Sequence, residues 1–215
     1  MILQLSLNIL TGILAYLIGS IQFGLIFGKL IRGIDIREHG SGSTGATNVG
    51  RTLGVKIATG VALIDIGKGF LIVYLFVYLL KFSDAEIPSY SMILIGSMVI
   101  IGHCWPVYYR FKGGKGVLTS LGVYLLVNPL ACLIALTSFI IIATISKYVS
   151  LGSLVGGSLA LIYVIISFFT SIGSSSFADI LFTLFIFCVI FYRHKENIQR
   201  LIKGKENKIG NDKKP

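Results

Sequence analysis

GVLTSLGVYLLVNPLACLIALTSFIIIATIS, residues 116–146, is a run of 31 residues without a charged side chain. As one helix it would be about 46 Å long, against a hydrocarbon core of roughly 30 Å. Asn128-Pro129 lies near its middle. Proline removes a backbone donor and disfavours helix in the residue before it, so the run reads as two crossings, 115–127 and 129–146. Working outward by the same length rule, residues 2–28, 55–80 and 89–109 form three crossings before it. Residues 148–170 and 177–193 form two after it, separated by a turn at Ser171-Ile-Gly-Ser-Ser-Ser176. The expectation is an all-α, polytopic integral membrane protein with seven transmembrane helices.

Charge placement fixes the direction of the chain. With the segment after the first span in the cytoplasm, all of the 19 Lys and Arg residues except Lys68 and Lys81 fall on the cytoplasmic side. That is the distribution the positive-inside rule demands. If 116–146 crossed only once, the basic tail would lie outside. The N-terminus is therefore expected outside and the C-terminus in the cytoplasm.

Composition agrees. The chain is 54% hydrophobic and only 13% charged, with a mean hydropathy of +0.86. A soluble domain carries about 25% charged residues. The first 28 residues hold no charge and lack the basic start and short apolar core of a secretory signal, so they read as a first span. Net charge is +10, with eight basic residues between Arg193 and Lys214. In a membrane protein this bias points to topology and anionic lipid rather than to nucleic acid. Cys104, Cys132 and Cys188 lie in or beside apolar runs without Cys-x-x-Cys spacing and read as small apolar residues, not metal ligands. No internal repeat is visible, and the 215 residues are expected to form a single membrane domain, with 194–215 an interfacial cytoplasmic helix and basic tail.

Three polar stretches interrupt this pattern. Ser41-Gly-Ser-Thr-Gly-Ala-Thr-Asn-Val-Gly-Arg51 and Phe111-Lys-Gly-Gly-Lys-Gly116 combine glycines, hydroxyl or amide side chains and fixed cations. Glycines let backbone N–H groups converge on a phosphate, and Arg or Lys supplies charge. The bland readings are a polar connecting loop and two lysines that anchor a span. The second stretch opens a helix, whose first N–H groups are unpaired and suit an anion, though it is not a Walker A loop. In His194-Lys-Glu-Asn-Ile-Gln-Arg-Leu201, helical spacing puts His194, Asn197, Ile198 and Leu201 on one face and Glu196, Arg200 and Lys203 on the other. That places His194 and Asn197 toward the bundle; the alternative is a simple anchor helix. Asp65 and Lys68 stand one turn apart inside a span, either as a functional pair or as an ion pair bracing the loop above. His103 reads as structural.

Together the three stretches, with Gly102-His-Cys-Trp-Pro106 and Gly204-Lys-Glu206, resemble the three ordered motifs of the bacterial acyl-phosphate-dependent glycerol-3-phosphate acyltransferases. Asp65…Lys68-Gly69 also fits that family's second helix. The resemblance covers essentially the whole chain; Ser43 departs from it, standing where the family often has Asn. It implies attack of the sn-1 hydroxyl of glycerol 3-phosphate on a fatty acyl phosphate, giving 1-acyl-glycerol 3-phosphate and phosphate. It implies substrate binding by Ser41, Gly42, Ser43, Thr47, Asn48, Arg51, Lys112, Gly113, Gly114, Lys115 and Gly116. His194 and Asn197 would orient the hydroxyl or assist its deprotonation, with a substrate phosphate oxygen as alternative base. No metal or cofactor is implied, and membrane lipids are the surroundings. The site would face the cytoplasm from a bacterial inner membrane. The His-x4-Asp dyad of acyl-CoA chemistry is absent, since Thr44, Tyr108 and Gln199 follow the three histidines at that distance. A transporter or channel for an anionic phosphorylated solute is the alternative. It would place charged or unwound positions near the midplane of both halves.

Overall fold

A computed structural model describes residues 2–81, 89–170, 173 and 175–209. Among these residues every regular element is helical. The chain divides into two compact units, Met1–Val127 and Asn128–Pro215. The boundary is the Asn128-Pro129 step that the sequence marks as a break.

The first unit holds α1 (Ile2–Gly19), α2 (Phe23–Arg32), α3 (Ala46–Leu53), α4 (Val55–Lys81), α5 (Ser89–Cys104) and α6 (Val117–Val127), with short 3-10 turns at Ile36–Glu38 and Val107–Tyr109. α1 packs on α5, and α4 packs on both α5 and α6. The α4–α6 contact is close because glycines face it from both sides. A methyl on Gly69 would strike the Thr119 carbonyl, and one on Gly122 would strike that of Ile66. Small residues let helices approach in this way where lipid offers no hydrophobic drive between them. A satellite core of Leu25, Ile36, Val49, Leu53 and Val61 anchors α2, α3 and the start of α4.

The second unit holds α7 (Pro129–Ser146), α8 (Val149–Thr170), α9 (Phe177–Arg193) and α10 (Lys195–Ile202). Asn128 caps α7 by accepting from the Ala131 N–H at 3.0 Å, with proline in the first turn where its missing donor does no harm. Ser176 and Asp179 form a reciprocal capping box at the start of α9. α8 packs on α7 and α9, and the chain bends by 60° between α9 and α10.

The surface is apolar, unlike that of a soluble protein, and small polar side chains are buried among the apolar core. Leu63, Leu71, Leu133, Ile140, Ile141 and Phe169 are exposed, while Ser91, Thr119, Ser120, Ser153 and Ser167 are buried. Five stretches are long and apolar enough to cross a membrane, 5–32, 55–78, 91–109, 129–146 and 149–170; the bent α9–α10 pair makes a sixth.

Three details differ from the sequence expectation. The first span is not a continuous helix over 2–28: it is interrupted at 20–22, where Gln22 takes an extended backbone and its side chain bonds to other segments. The crossing expected at 115–127 contains an 11-residue helix, about 16 Å long and half the hydrocarbon thickness. The first polar loop contains a helix of its own, α3. The expected external loop at 82–88, half of the turn at 171–176 and the end of the tail at 210–215 lie outside the described residues.

Candidate active site

The first glycine-rich stretch runs over 41–45 into the N-terminus of α3, and Asn48 organises it. Its Oδ1 accepts from the Ser41 N–H at 2.7 Å, while Nδ2 donates to the carbonyls of Ile36 and His39 at 2.9 and 3.0 Å. Both amide protons are therefore engaged within the loop. Asn48 is buried, whereas Gly42 and Thr47 are exposed and Ser41, Ser43 and Arg51 half-buried. Arg51 lies in the last turn of α3.

The second stretch, 112–116, leads into α6. The Gly114 N–H donates to the His103 carbonyl at 3.0 Å. A methyl on Gly114 would strike His103 Nε2, and one on Gly113 the His103 carbonyl and Pro106. Close seating on His103 and Pro106 is thus what demands glycine at 113 and 114, while Gly116 takes a left-handed φ of 82°. Lys112 is exposed and Lys115 half-buried.

These two loops are tied to each other through buried polar side chains. Thr44 Oγ1 donates to Gln22 Oε1 at 2.6 Å, and Gln22 Nε2 donates to the same His103 carbonyl at 3.1 Å. Beneath them, Lys68 Nζ lies 2.9 Å from Asp65 Oδ1 and 2.8 Å from His103 Nδ1, and donates to the Ile21 carbonyl at 3.2 Å. An ammonium donates and never accepts, so it serves the Ile21 carbonyl and His103 Nδ1 and stands as an ion pair beside Asp65 Oδ1. His103 Nδ1 is then the acceptor, and Nε2 carries the ring proton on the side of Gly114. Nearer the surface, Arg37 is held by Asp35 and reaches the Tyr109 carbonyl at 3.3 Å. Its hydrogen bonds keep the Asp35 carboxyl below its ordinary value. A cavity of about 540 Å³ opens there between Lys29, Asp35, Arg37 and Tyr109. Asp35 neutralises Arg37, so this cavity has the weaker claim on a phosphate dianion.

Within the second unit His194 and Asn197 are both buried, as their helical face requires. His194 Nδ1 lies 2.8 Å from the Ile190 carbonyl. A carbonyl only accepts, so Nδ1 bears the proton and Nε2 is the basic nitrogen. Asn197 Nδ2 donates to Glu206 Oε1 at 2.7 Å. Glu206 also accepts from Ser150 Oγ at 3.0 Å and from Arg200 Nε at 2.8 Å. Arg200, placed by the helical wheel on the charged outer face, turns to this carboxylate. Burial alone would push the Glu206 carboxyl up; the bonds from Arg200, Asn197 and Ser150 outweigh it and hold the group below the ordinary range. The Ile209 N–H donates to the Lys147 carbonyl at 2.8 Å, so the tail is pinned to the start of α8.

Sequence reasoning passed over Gln22 and Ser150 as contributors. The signal for Gln22 is an amide inside a charge-free apolar run, which a membrane span tolerates only where the amide finds partners. Ser150 carries no such signal, because small hydroxyls are common in membrane helices. Among the described residues no group of His, Cys, Asp and Glu is arranged to hold a metal ion.

The family model for glycerol-3-phosphate acyltransferase matches residues 9–204. A glycerol-3-phosphate acyltransferase of Thermoanaerobacter sp. (strain X514) is 43% identical over 202 residues, 94% of this chain and 96% of that one. The fold is similar to the crystal structure of PlsY, an integral membrane glycerol 3-phosphate acyltransferase, in its glycerol 3-phosphate form. The TM-score is 0.83 at 36% identity, covering 94% of this chain and 96% of that one. The lysophosphatidic acid form matches with a TM-score of 0.80 at 35% identity, over 94% and 95%. The alternative of a solute transporter gives way to these matches. Alike in sequence and in fold over nearly its whole length, the chain belongs to the glycerol-3-phosphate acyltransferase family, as an enzyme held in the membrane by several helices.

Proposed function

We propose that the protein transfers a fatty acyl group from acyl phosphate to the sn-1 hydroxyl of glycerol 3-phosphate, releasing 1-acyl-glycerol 3-phosphate (lysophosphatidic acid) and inorganic phosphate. The observation that carries this reading is the pair of glycine-rich loops, each feeding a helix N-terminus, with Arg51 in the helix after the first and Lys112 and Lys115 in the second, built into a chain of this family. Two loops suit a reaction in which both substrates carry a phosphate. Ser41, Ser43, Thr47 and Arg51 would receive one phosphate through their side chains, and Lys112 and Lys115 the other, while Gly42, Gly113, Gly114 and Gly116 shape the two loops. The N–H groups of Ser41, Gly42 and Gly114 are already taken by Asn48, His39 and His103. Asn48 shapes the first loop from within.

The acyl phosphate already contains a good leaving group, so no covalent enzyme intermediate is needed. The hydroxyl oxygen attacks the acyl carbon, the new ester bond forms, and the bond from that carbon to the phosphate oxygen breaks. The hydroxyl proton passes to His194 Nε2 and from there to the departing phosphate. Asn197, fixed by Glu206, holds α10 in the orientation that presents His194. Holding two headgroups at the reactive angle supplies much of the acceleration, since orientation alone can be worth several powers of ten.

We place the enzyme in a bacterial inner membrane, with seven crossings, the N-terminus outside and the motifs and tail in the cytoplasm; α6 is the short crossing. The basic residues on one side of the apolar stretches support this. Purified protein incubated with glycerol 3-phosphate and either palmitoyl phosphate or palmitoyl-CoA is the test. Lysophosphatidic acid and phosphate in equal amounts, from the phosphate donor only, are expected. Product from palmitoyl-CoA alone, or from neither donor, would overturn the reading.

A further inference from the structure

We propose that Gln22, with the Asp65–Lys68–His103 cluster beneath it, acts as a set of positioning residues that couple the two phosphate-binding loops, so that the loops bind their substrates as one unit. The proposal rests on the phosphate reading of those loops.

The geometry forms an unbroken polar chain. It starts in the first loop at Thr44, passes through the Gln22 amide to the His103 carbonyl, and enters the second loop at the Gly114 N–H. The His103 carbonyl serves both Gln22 and Gly114, so moving either loop disturbs a bond on which the other depends. The ring of the same residue lies against the Gly114 Cα, and its Nδ1 is fixed by Lys68. Lys68 also holds the Ile21 carbonyl, the residue before Gln22. Both ends of the Gln22 bridge are therefore set by one ammonium, itself neutralised by Asp65. Gln22, Thr44 and Asp65 are at most 2% exposed, His103 4% and Lys68 7%. At this burial the local dielectric is low, and the bonds are stronger than they would be in water.

Burial satisfaction is the competing account of Gln22, and it predicts something different. Removing both partners of a buried hydrogen bond with apolar groups of similar shape is nearly neutral for stability. If the bridge only satisfies buried atoms, the variant Q22L/T44V regains normal kinetics together with stability, because the His103 carbonyl keeps Gly114. If the bridge couples the loops, the same variant folds but binds both substrates poorly.

The test measures KM for glycerol 3-phosphate and for palmitoyl phosphate in the wild type, Q22L/T44V, T44V and T44S, with thermal unfolding midpoints alongside. We expect Q22L/T44V to melt near the wild type and to raise both KM values by about tenfold, with kcat changed by about twofold or less. T44S retains the hydroxyl and is expected to recover most of what T44V loses. Wild-type values of both KM in the stable double variant, or a rise in one KM alone, would overturn the coupling. An inactive wild type would instead remove the phosphate reading, and the coupling with it. Lys68→Met gives an independent check through the other end of the bridge: it too raises both KM values if the cluster sets the loops, and a rise in neither counts against it.

Discussion

Replacing Glu206 by Gln tests how the tail of the molecule is held. Its carboxylate accepts three bonds, from Asn197 at 2.7 Å and Ser150 at 3.0 Å on one oxygen and from Arg200 at 2.8 Å on the other. Glutamine keeps one acceptor. If that oxygen stays with Asn197 and Ser150, the new NH2 group faces the Arg200 N–H, donor against donor. Among the described residues Arg200 then retains only the exposed Glu196 as an acidic partner, at 3.8 Å, a contact worth little. Losing one buried charge-assisted hydrogen bond removes about 2–3 kcal/mol. At the slope usual for chains of this length, the midpoint of thermal unfolding should fall by about 4–12 °C. The assay is thermal unfolding of the detergent-solubilised protein at neutral pH, with turnover measured beside it. Turnover is expected to fall as well, because Asn197 and the helix following His194 lose their anchor. The pH dependence has a definite sign. Glu206 has a depressed folded pKa, so its stabilisation is present above the unfolded value and is lost as pH falls through the folded one. The gap between wild type and variant should therefore close as pH drops below about 4. A midpoint within about 1 °C of wild type at neutral pH would refute this account of the network.

Other substitutions probe the two loops and α10. Arg51→Lys keeps the charge but not the planar fork, and is expected to reduce kcat/KM by about tenfold or more; near-normal kinetics would remove Arg51 from phosphate binding. Gly114→Ala puts a methyl into the space of the His103 ring and should raise KM for a phosphorylated substrate while the protein still extracts and runs as folded; unchanged saturation curves would reduce 112–116 to a connector. His194→Ala and Asn197→Ala should each lower turnover, with the double variant little worse than the worse single, since groups acting as a unit are non-additive. Full turnover in both singles would refute the role of α10 in the chemistry.

Much of the helical frame could be read from the chain because its signals are local. The apolar runs mark α4, α7, α8 and α9, and Asn128-Pro129 provides both the cap and the first turn that α7 needs. The interruption at 20–22 could not be read this way. Nothing between Ser20 and Gln22 forbids helix; the backbone turns there because Lys68, Gln22 and His103 find one another across three segments distant in sequence. The shortness of α6 escaped for a related reason, since the loop before it stays unwound by resting on His103. In the loops, the glycines and cations announced an anion site by composition, whereas the inward-facing amide of Asn48 depends on carbonyls of Ile36 and His39 that no spacing rule supplies. His194 and Asn197 were placed on the buried face by helical periodicity alone. The capture of Asn197 by Glu206 needed the chain to turn back after Gly204, where φ is +65°, a fold that a wheel diagram does not contain.

The pairing of Asp65 with Lys68 on a single turn of α4 bears on how the protein is made. A lone charge at the centre of an inserting segment carries a penalty of about 2.5–3.5 kcal/mol. Here the counter-ion arrives on the same helix, three residues away at 2.9 Å, so α4 brings its own neutralisation when it leaves the translocation machinery. It need not wait for α5, which has not yet been synthesised. The Ile21 carbonyl is already in place by then, and His103 follows later. The ammonium can thus collect its acceptors in the order in which the ribosome supplies them, and the buried cation that steadies the finished enzyme is never without a partner during its assembly.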